Sequence, residues 1–309
     1  MHSHEEEGEH RGIYVVSLDQ TVLLDRWARP RGFRLPDSIF FQELRGALKE
    51  ELQRYFHQVE MLDEKELRLG LQDQLHGSSD PVISLDSVYT PPGAYLLEST
   101  RMVDIHLRDI GKGSRNGISL ASQYEAMERC LHGKSVQLVD DVMFGGGTLK
   151  NVVDQLQQHS IRVSRIVVVI MTGDGSRNIQ EQFPTIPVQA VRFYDPITDE
   201  VCERDFFVGM PMSGRLIGKN GLPLSPETGA SYFLPFGNPV EWATIPYDSI
   251  TRWSVFCLEQ NIRLWDEIGK VSGRQVQVED LERRPRLVSS QLGFVDQLRN
   301  FRDYYLEYI

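Results

Sequence analysis

Lys134–Leu156, KSVQLVDDVMFGGGTLKNVVDQL, constrains this chain more than any other stretch. Val136, Leu138 and Val139 form an apolar run that stops at two adjacent carboxylates, Asp140 and Asp141. The apolar link Val142-Met143-Phe144 leads into Gly145-Gly146-Gly147-Thr148, after which Leu149, Val152, Val153 and Leu156 recur at helical spacing. The pattern predicts a buried strand running out into a glycine turn that feeds a helix. The first amides of such a helix lack intrahelical partners and its dipole favours anions, so the turn is a ready phosphate cradle. Glycines let the backbone close around a phosphate, and Thr148 adds a hydroxyl donor. Two acids beside that cradle suit a sugar phosphate: carboxylates take the hydroxyls and the turn takes the phosphate.

This order of elements resembles the PRPP-binding signature of the type I phosphoribosyltransferase family: an apolar strand, two acids, a short apolar link and a Gly-Gly-Thr loop. VQLVDDVMFGGGT follows it at nearly every position. It departs at Gly145, where family loops often carry Thr, Ser or Ala. The glycines alone would also fit a generic βα turn of a Rossmann-like sheet. A P-loop is excluded by the absence of Gly-Lys-Ser/Thr, and G-x-G-x-x-G fails after Gly147.

The resemblance implies an α/β fold, a mostly parallel sheet of phosphoribosyltransferase type flanked by helices, with N-terminal and C-terminal helical extensions. It implies that Asp140 and Asp141 are catalytic, holding the ribose hydroxyls, and that Gly145, Gly146, Gly147 and Thr148 hold the 5′-phosphate. Mg²⁺ is expected through the substrate rather than on protein ligands. The implied reaction moves phosphoribosyl from PRPP to a nitrogen base, a nucleobase, and releases pyrophosphate. The alternative is a non-catalytic regulator that binds PRPP or a nucleotide on the same fold.

Composition narrows the partners. In 309 residues with 40% hydrophobic and 25% charged side chains there is room for one large domain or two modest ones. A net charge of −11 argues against a nucleic-acid surface. The apolar run Ile166–Met171 is too short to span a bilayer. The N-terminus is polar and acidic, without a signal-peptide pattern. Cys130, Cys202 and Cys257 lie far apart, as reduced thiols in a cytoplasmic protein would.

Four segments are expected: a disordered tail at 1–12, a strand and helix at 13–80, a phosphoribosyltransferase-like core at 81–235 and a helical extension at 236–309. Ile13–Leu18 reads as a strand, Arg26 to Arg34 as a basic linker, and Asp37 or Ser38 caps an amphipathic helix running to about Val59. SLDQTV faintly resembles a phosphatase Asp-x-Asp-x-Thr motif, but Ser17 stands where the nucleophilic aspartate belongs. Pro81–Val88 and Tyr95–Ile105 read as strands of a hairpin-like pair. Ser-Leu-Asp follows an apolar strand twice, so the pyrophosphate loop implied by the resemblance falls either at Asp86-Ser87 or at Asp19-Gln20.

RMVDIHLRDIGKGSRNG resembles the strand and mobile loop that precede the PRPP motif in hypoxanthine-type members. Its glycines and the charges of Arg108, Lys112 and Arg115 suit a lid over a pyrophosphate leaving group. VCERDFFVGMP loosely resembles the late segment that stacks on the purine, with Phe206 or Phe207 offering the ring; a core role is the alternative. Helices expected at Ser249–Ile268 and about Ser290–Tyr308 either wrap the sheet or form a homodimer contact.

Overall fold

The computed structural model describes residues 12–115, 117–219, 222–224, 230–231, 237–289 and 291–307. Apart from Gly12, the expected tail lies outside the described residues. In chain order the first elements are β1 (Ile13–Leu18), α1 (Gln20–Arg31), α2 (Ser38–Leu52), β2 (Val59–Asp63) and α3 (Glu64–Leu75). Then come β3 (Val82–Ser84), β4 (Tyr95–Leu96), β5 (Ser99–Val103), β6 (Asp109–Ser114) and α4 (Leu120–Leu131). The signature region supplies β7 (Ser135–Met143), α5 (Gly147–Gln158), β8 (Arg162–Thr172), α6 (Gly173–Gln182), β9 (Val188–Tyr194) and β10 (Ile197–Cys202). The chain ends with β11 (Arg215–Lys219), β12 (Leu222–Pro223), β13 (Ala230–Ser231), α7 (Pro239–Ala243), α8 (Ile250–Ser272) and α9 (Phe294–Leu306).

The signature strand sits in the middle of a five-stranded, all-parallel sheet of order β4-β3-β7-β8-β9. Parallel strands covered on both faces read as continuous apolar runs. Ile166 to Val169 in β8 are accordingly fully buried, facing alternately into two apolar clusters. One cluster holds the apolar stripe of α5 and the other holds Leu67 and Leu71 of α3. This is the mixed α/β architecture, a parallel sheet flanked by helices, that the signature implies.

A second, three-stranded parallel sheet runs β10-β1-β2. β1 from the N-terminal segment therefore pairs with β10, far along the chain, and α8 packs Trp253 and Trp265 into the same core as Leu24, Trp27 and Leu44. A third sheet joins β12-β11-β5-β6, with β5 and β6 as an antiparallel hairpin and β11 parallel to β5. No helix among the described residues is long and apolar enough to cross a membrane.

Several local expectations are corrected. Arg26 to Arg31 belong to α1 rather than a linker, because Leu23, Leu24, Trp27 and Ala28 bury one face and Pro30 falls only in the last turn. The helix from Asp37 stops at Leu52, since Val59 is needed as strand partner to Tyr14. β3 and β4 pair in parallel, not as a hairpin, and Ser99 onward leaves for the third sheet. The polar stretch after Asp63 is α3, capped by that carboxylate on the amides of Lys65 and Glu66.

Candidate active site

The strand–turn–helix reading sets the geometry of the site. Asp140 and Asp141 lie in β7, and the chain leaves the sheet at Met143 for a turn whose Gly146 adopts φ +76° and precedes the first turn of α5. That left-handed conformation is open to glycine at little cost. The turn is pinned by α6 and its cap: Thr172 Oγ1 donates to the Phe144 carbonyl at 2.5 Å, and Asn178 Nδ2 donates to the Gly145 carbonyl at 3.1 Å. Gly145, Gly147 and Thr148 are left with their amides at the mouth of the helix, where an anion is favoured.

Both acids and the whole turn line a cavity of about 700 Å³. Its acidic side is Asp86, Asp140, Asp141, Asp199 and Glu200, at or near the carboxyl ends of β3 and β7 and along β10. Its basic side comes from the third sheet and its edge: Arg101 of β5, Lys112 of β6, Arg115 just beyond, and Arg215 of β11. None of those four cations forms an ion pair among the described residues. Burial and the neighbouring Arg101 hold Lys112 below its ordinary value. Burial and a second arginine bring Arg115 and Arg215 down to about 10. A wall of cations that face the cavity acids without a direct ion pair suits an external anion bound between them.

The two signature acids differ. Asp140 is buried at 7% exposure, and burial followed by repulsion from Asp141 raises its carboxyl well above the ordinary range. Asp141 also pays for burial, but the Arg204 guanidinium and hydrogen bonds hold it below the ordinary value. The pair therefore titrates in separated steps, with Asp140 the weaker acid and Asp141 the stronger.

Of the two pyrophosphate-loop positions, Asp86 and Ser87 line the cavity whereas Asp19 and Gln20 do not. Asp86 Oδ1 accepts the amides of Val88 at 2.6 Å and Tyr89 at 3.1 Å, which tightens the loop after β3. Asp19 and Gln20 are fully buried at the start of α1. The glycine-rich segment is built into the hairpin β5–β6, whose outer pairing to β11 makes it part of a sheet rather than an isolated loop. Lys112 and Arg115 reach the cavity from it; Arg108 lies at the hairpin turn, paired to Asp104 at 2.7 Å, and does not. Phe206 and Phe207 are core residues, 3% and 2% exposed, and neither lines the cavity. Phe206 meets Trp253 edge-on at 5.5 Å between centroids.

Arg101, Arg204, Asp199 and Glu200 have no sequence signal of their own; they arrive through β5 and β10, whose pairing is long-range. They meet Arg215, a basic residue of the Gly- and Pro-rich stretch after Pro211 that the sequence offers as a phosphate contact. Trp242 joins them, its ring covered by the Arg215 guanidinium at 3.9 Å.

Known proteins agree with the signature. Over 110 residues the chain is 30% identical to a hypoxanthine/guanine phosphoribosyltransferase of Methanocella paludicola, and 29% identical to that of Methanocella arvoryzae. Over that stretch the chain is similar to phosphoribosyltransferases, in keeping with the type I signature it resembles. Each match spans 33% of this chain and 56% of the relative, so the phosphoribosyltransferase likeness covers about half the length of those proteins. No family model matches the chain. Among solved structures, an adenine phosphoribosyltransferase of Thermoanaerobacter pseudethanolicus is 13% identical over 42% of this chain and 79% of its own, with a TM-score of 0.28. An orotate phosphoribosyltransferase of Mycobacterium tuberculosis is 14% identical over 41% of this chain and 70% of its own, with a TM-score of 0.27. Superpositions that loose add nothing to the phosphoribosyltransferase assignment.

Proposed function

We propose that this chain transfers phosphoribosyl from PRPP to a nitrogen base, a nucleobase, with release of pyrophosphate. One observation carries the reading: the acid pair of β7 and the glycine turn before α5 open into one cavity faced by the cations Arg101, Lys112, Arg115 and Arg215. In this reading the turn amides and Thr148 take the 5′-phosphate. Asp140 and Asp141 take the ribose diol, one as a neutral acid and one as a carboxylate.

As C1′ loses its leaving group, positive charge develops on the sugar and the Asp141 carboxylate lies where it stabilises that charge. Lys112 and Arg101 neutralise the departing pyrophosphate, and the Asp86-Ser87 loop lies beside it. Enclosure by the hairpin limits water, whose attack on PRPP is the competing loss. In this reading Mg²⁺, which takes oxygen ligands and keeps several waters, would be held through ligand oxygens beside the carboxylates that line the cavity. Bound that way, the ion would offset charge on the pyrophosphate. A cytoplasmic setting and a homodimer are part of the same proposal.

The test is calorimetry with PRPP plus Mg²⁺, followed by pyrophosphate release across a panel of bases. Binding with turnover on one base supports the transferase. Binding without turnover on any base assigns the chain to the regulator class, and absence of binding removes both readings.

A further inference from the structure

Arg204 follows β10 in a tight turn, Glu203–Phe206, and is nine-tenths buried. Its guanidinium Nη1 donates to Asp19 Oδ2 at 2.6 Å, and its backbone amide donates to Asp19 Oδ1 at 3.0 Å. Nη2 donates to Asp86 Oδ2 at 3.2 Å and to Asp141 Oδ2 at 3.0 Å. Asp19 follows β1, Asp86 follows β3 and Asp141 lies near the end of β7, so one side chain joins strands from two separate sheets. The turn that carries it is held from behind, where Glu203 accepts Arg45 Nε at 2.8 Å and Nη2 at 2.9 Å.

We propose that Arg204 is the positioning residue of this site, fixing the Asp141 carboxylate toward the cavity and locking the two sheets into one floor. Both oxygens of Asp141 are held, Oδ2 by Arg204 and Oδ1 by the Val142 amide at 2.8 Å, which leaves the carboxylate one orientation. Both Nη nitrogens of the guanidinium donate to carboxylates, so Arg204 acts through Asp141 even though it lines the cavity. The other groups near Asp141 are Asp140, Asp86, Glu200 and Cys202; Asp140 and Asp86 share hydrogen bonds with it and the Cys202 thiol donates to its Oδ2 at 3.9 Å, but none of the four is a cation. Lys112 lies across the cavity. Among the described residues Arg204 is the cation in hydrogen-bond contact with Asp141, and it is the first cause holding that carboxyl below its ordinary value. A lysine would not substitute, because a single ammonium lacks the planar fork that reaches three acids at once.

The ligand role of Asp141 rests on the PRPP reading; its restraint by Arg204 does not, and the experiment separates the two. In the full chain, the Asp141 carboxyl carbon is titrated by NMR, and PRPP plus Mg²⁺ binding is measured by calorimetry. The variants are R204K, R204Q/D19N, D141N and R204Q/D19N/D141N. R204Q/D19N removes the arginine together with its most buried partner, so that the fully buried Asp19 is not left as an unpaired charge; Asp86 and Asp141 still line the cavity. We expect the Asp141 midpoint to rise in R204K and in R204Q/D19N. We also expect R204Q/D19N to lose roughly tenfold to a hundredfold in affinity, as for a lost hydrogen bond to a charged group. D141N should lose a similar factor, and the triple variant little more than either. An unchanged Asp141 midpoint, additive losses, or full affinity in R204K overturns the proposal. Failure of both R204K and R204Q/D19N to fold also overturns it, since Arg204 is then only a structural key. If the native chain binds no PRPP, the functional reading falls while the Asp141 titration still decides the positioning claim.

Discussion

Gly146 backs directly onto Ile179: a Cβ at Gly146 would lie 2.8 Å from Ile179 Cγ1, on a backbone already at φ +76°. The phosphate turn is thus shaped both by its own torsion and by α6 behind it. Gly146→Ala is expected to destabilise the protein by about 2 kcal/mol, the left-handed penalty plus displacement of Ile179. Gly147→Ala, with nothing within 4 Å of its Cβ, provides the comparison. Urea unfolding of both variants checks this; equal stabilities would show that the turn is not under that constraint.

Gly145 is where this chain departs from the family signature, and its Cβ position is likewise open, with nothing within 4 Å. Gly145→Thr is therefore expected to fold with a stability change within about 0.5 kcal/mol. The added hydroxyl should tighten PRPP by a few-fold in calorimetry. Loss of binding would mean that the bare backbone at this position is needed by the ligand.

Lys112 has no ion pair among the described residues and faces Asp140 and Asp141 across the cavity. Lys112→Ala is expected to weaken pyrophosphate binding roughly tenfold to a hundredfold, the loss of one charge-assisted contact. It should also reduce the salt dependence of that binding, because one fewer charge–charge contact is left for salt to screen. Arg108→Ala, paired to Asp104 at the hairpin turn, should leave both unchanged. Calorimetry at two salt concentrations separates these outcomes.

Phe206 and Phe207 show how a ring pair divides between core and site. Both are buried and Phe206 packs on Trp253. Phe206→Ala is expected to cost about 3–5 kcal/mol in stability, the range for a buried aromatic truncated to alanine. The order of preference among acceptor bases should not change. A variant with native stability and altered base preference would return the ring to the site.

Much of the central sheet was legible because its signal is local. β7, the glycine turn and the apolar stripe of α5 are contiguous, and the buried run of β8 reads as a strand covered on both faces. What the chain did not reveal is non-local. β1 finds β10, and β5 finds β11, through pairings that no short-range pattern encodes. Arg204 sits beside the two phenylalanines singled out for stacking, yet the guanidinium, not the rings, reaches the acids. An arginine in an ordinary charged stretch gives no sign that three separate strands will deliver carboxylates to it.

Asp19 illustrates the pH dependence that such burial creates. Burial raises its carboxyl from 3.8 to about 7, against the opposing pull of Arg204. An acid whose folded value is raised binds its proton more tightly in the folded state, so its contribution to stability falls as pH climbs from about 4 to about 7. Asp86, Asp140 and Glu200 are raised as well and act with the same sign. Asp141, held below its ordinary value, acts oppositely: its contribution is present above the unfolded value and is lost only as pH falls through its own lower midpoint. The Asp19 share amounts to about 4 kcal/mol at most, from roughly three units at 1.36 kcal/mol each. Asp19→Asn is therefore expected to flatten the decline in unfolding free energy between those limits, whatever it does to the absolute stability. Urea unfolding of native and variant chains at pH 4, 5.5, 7 and 8 measures the slope, and parallel curves would show that Asp19 is already ionised throughout.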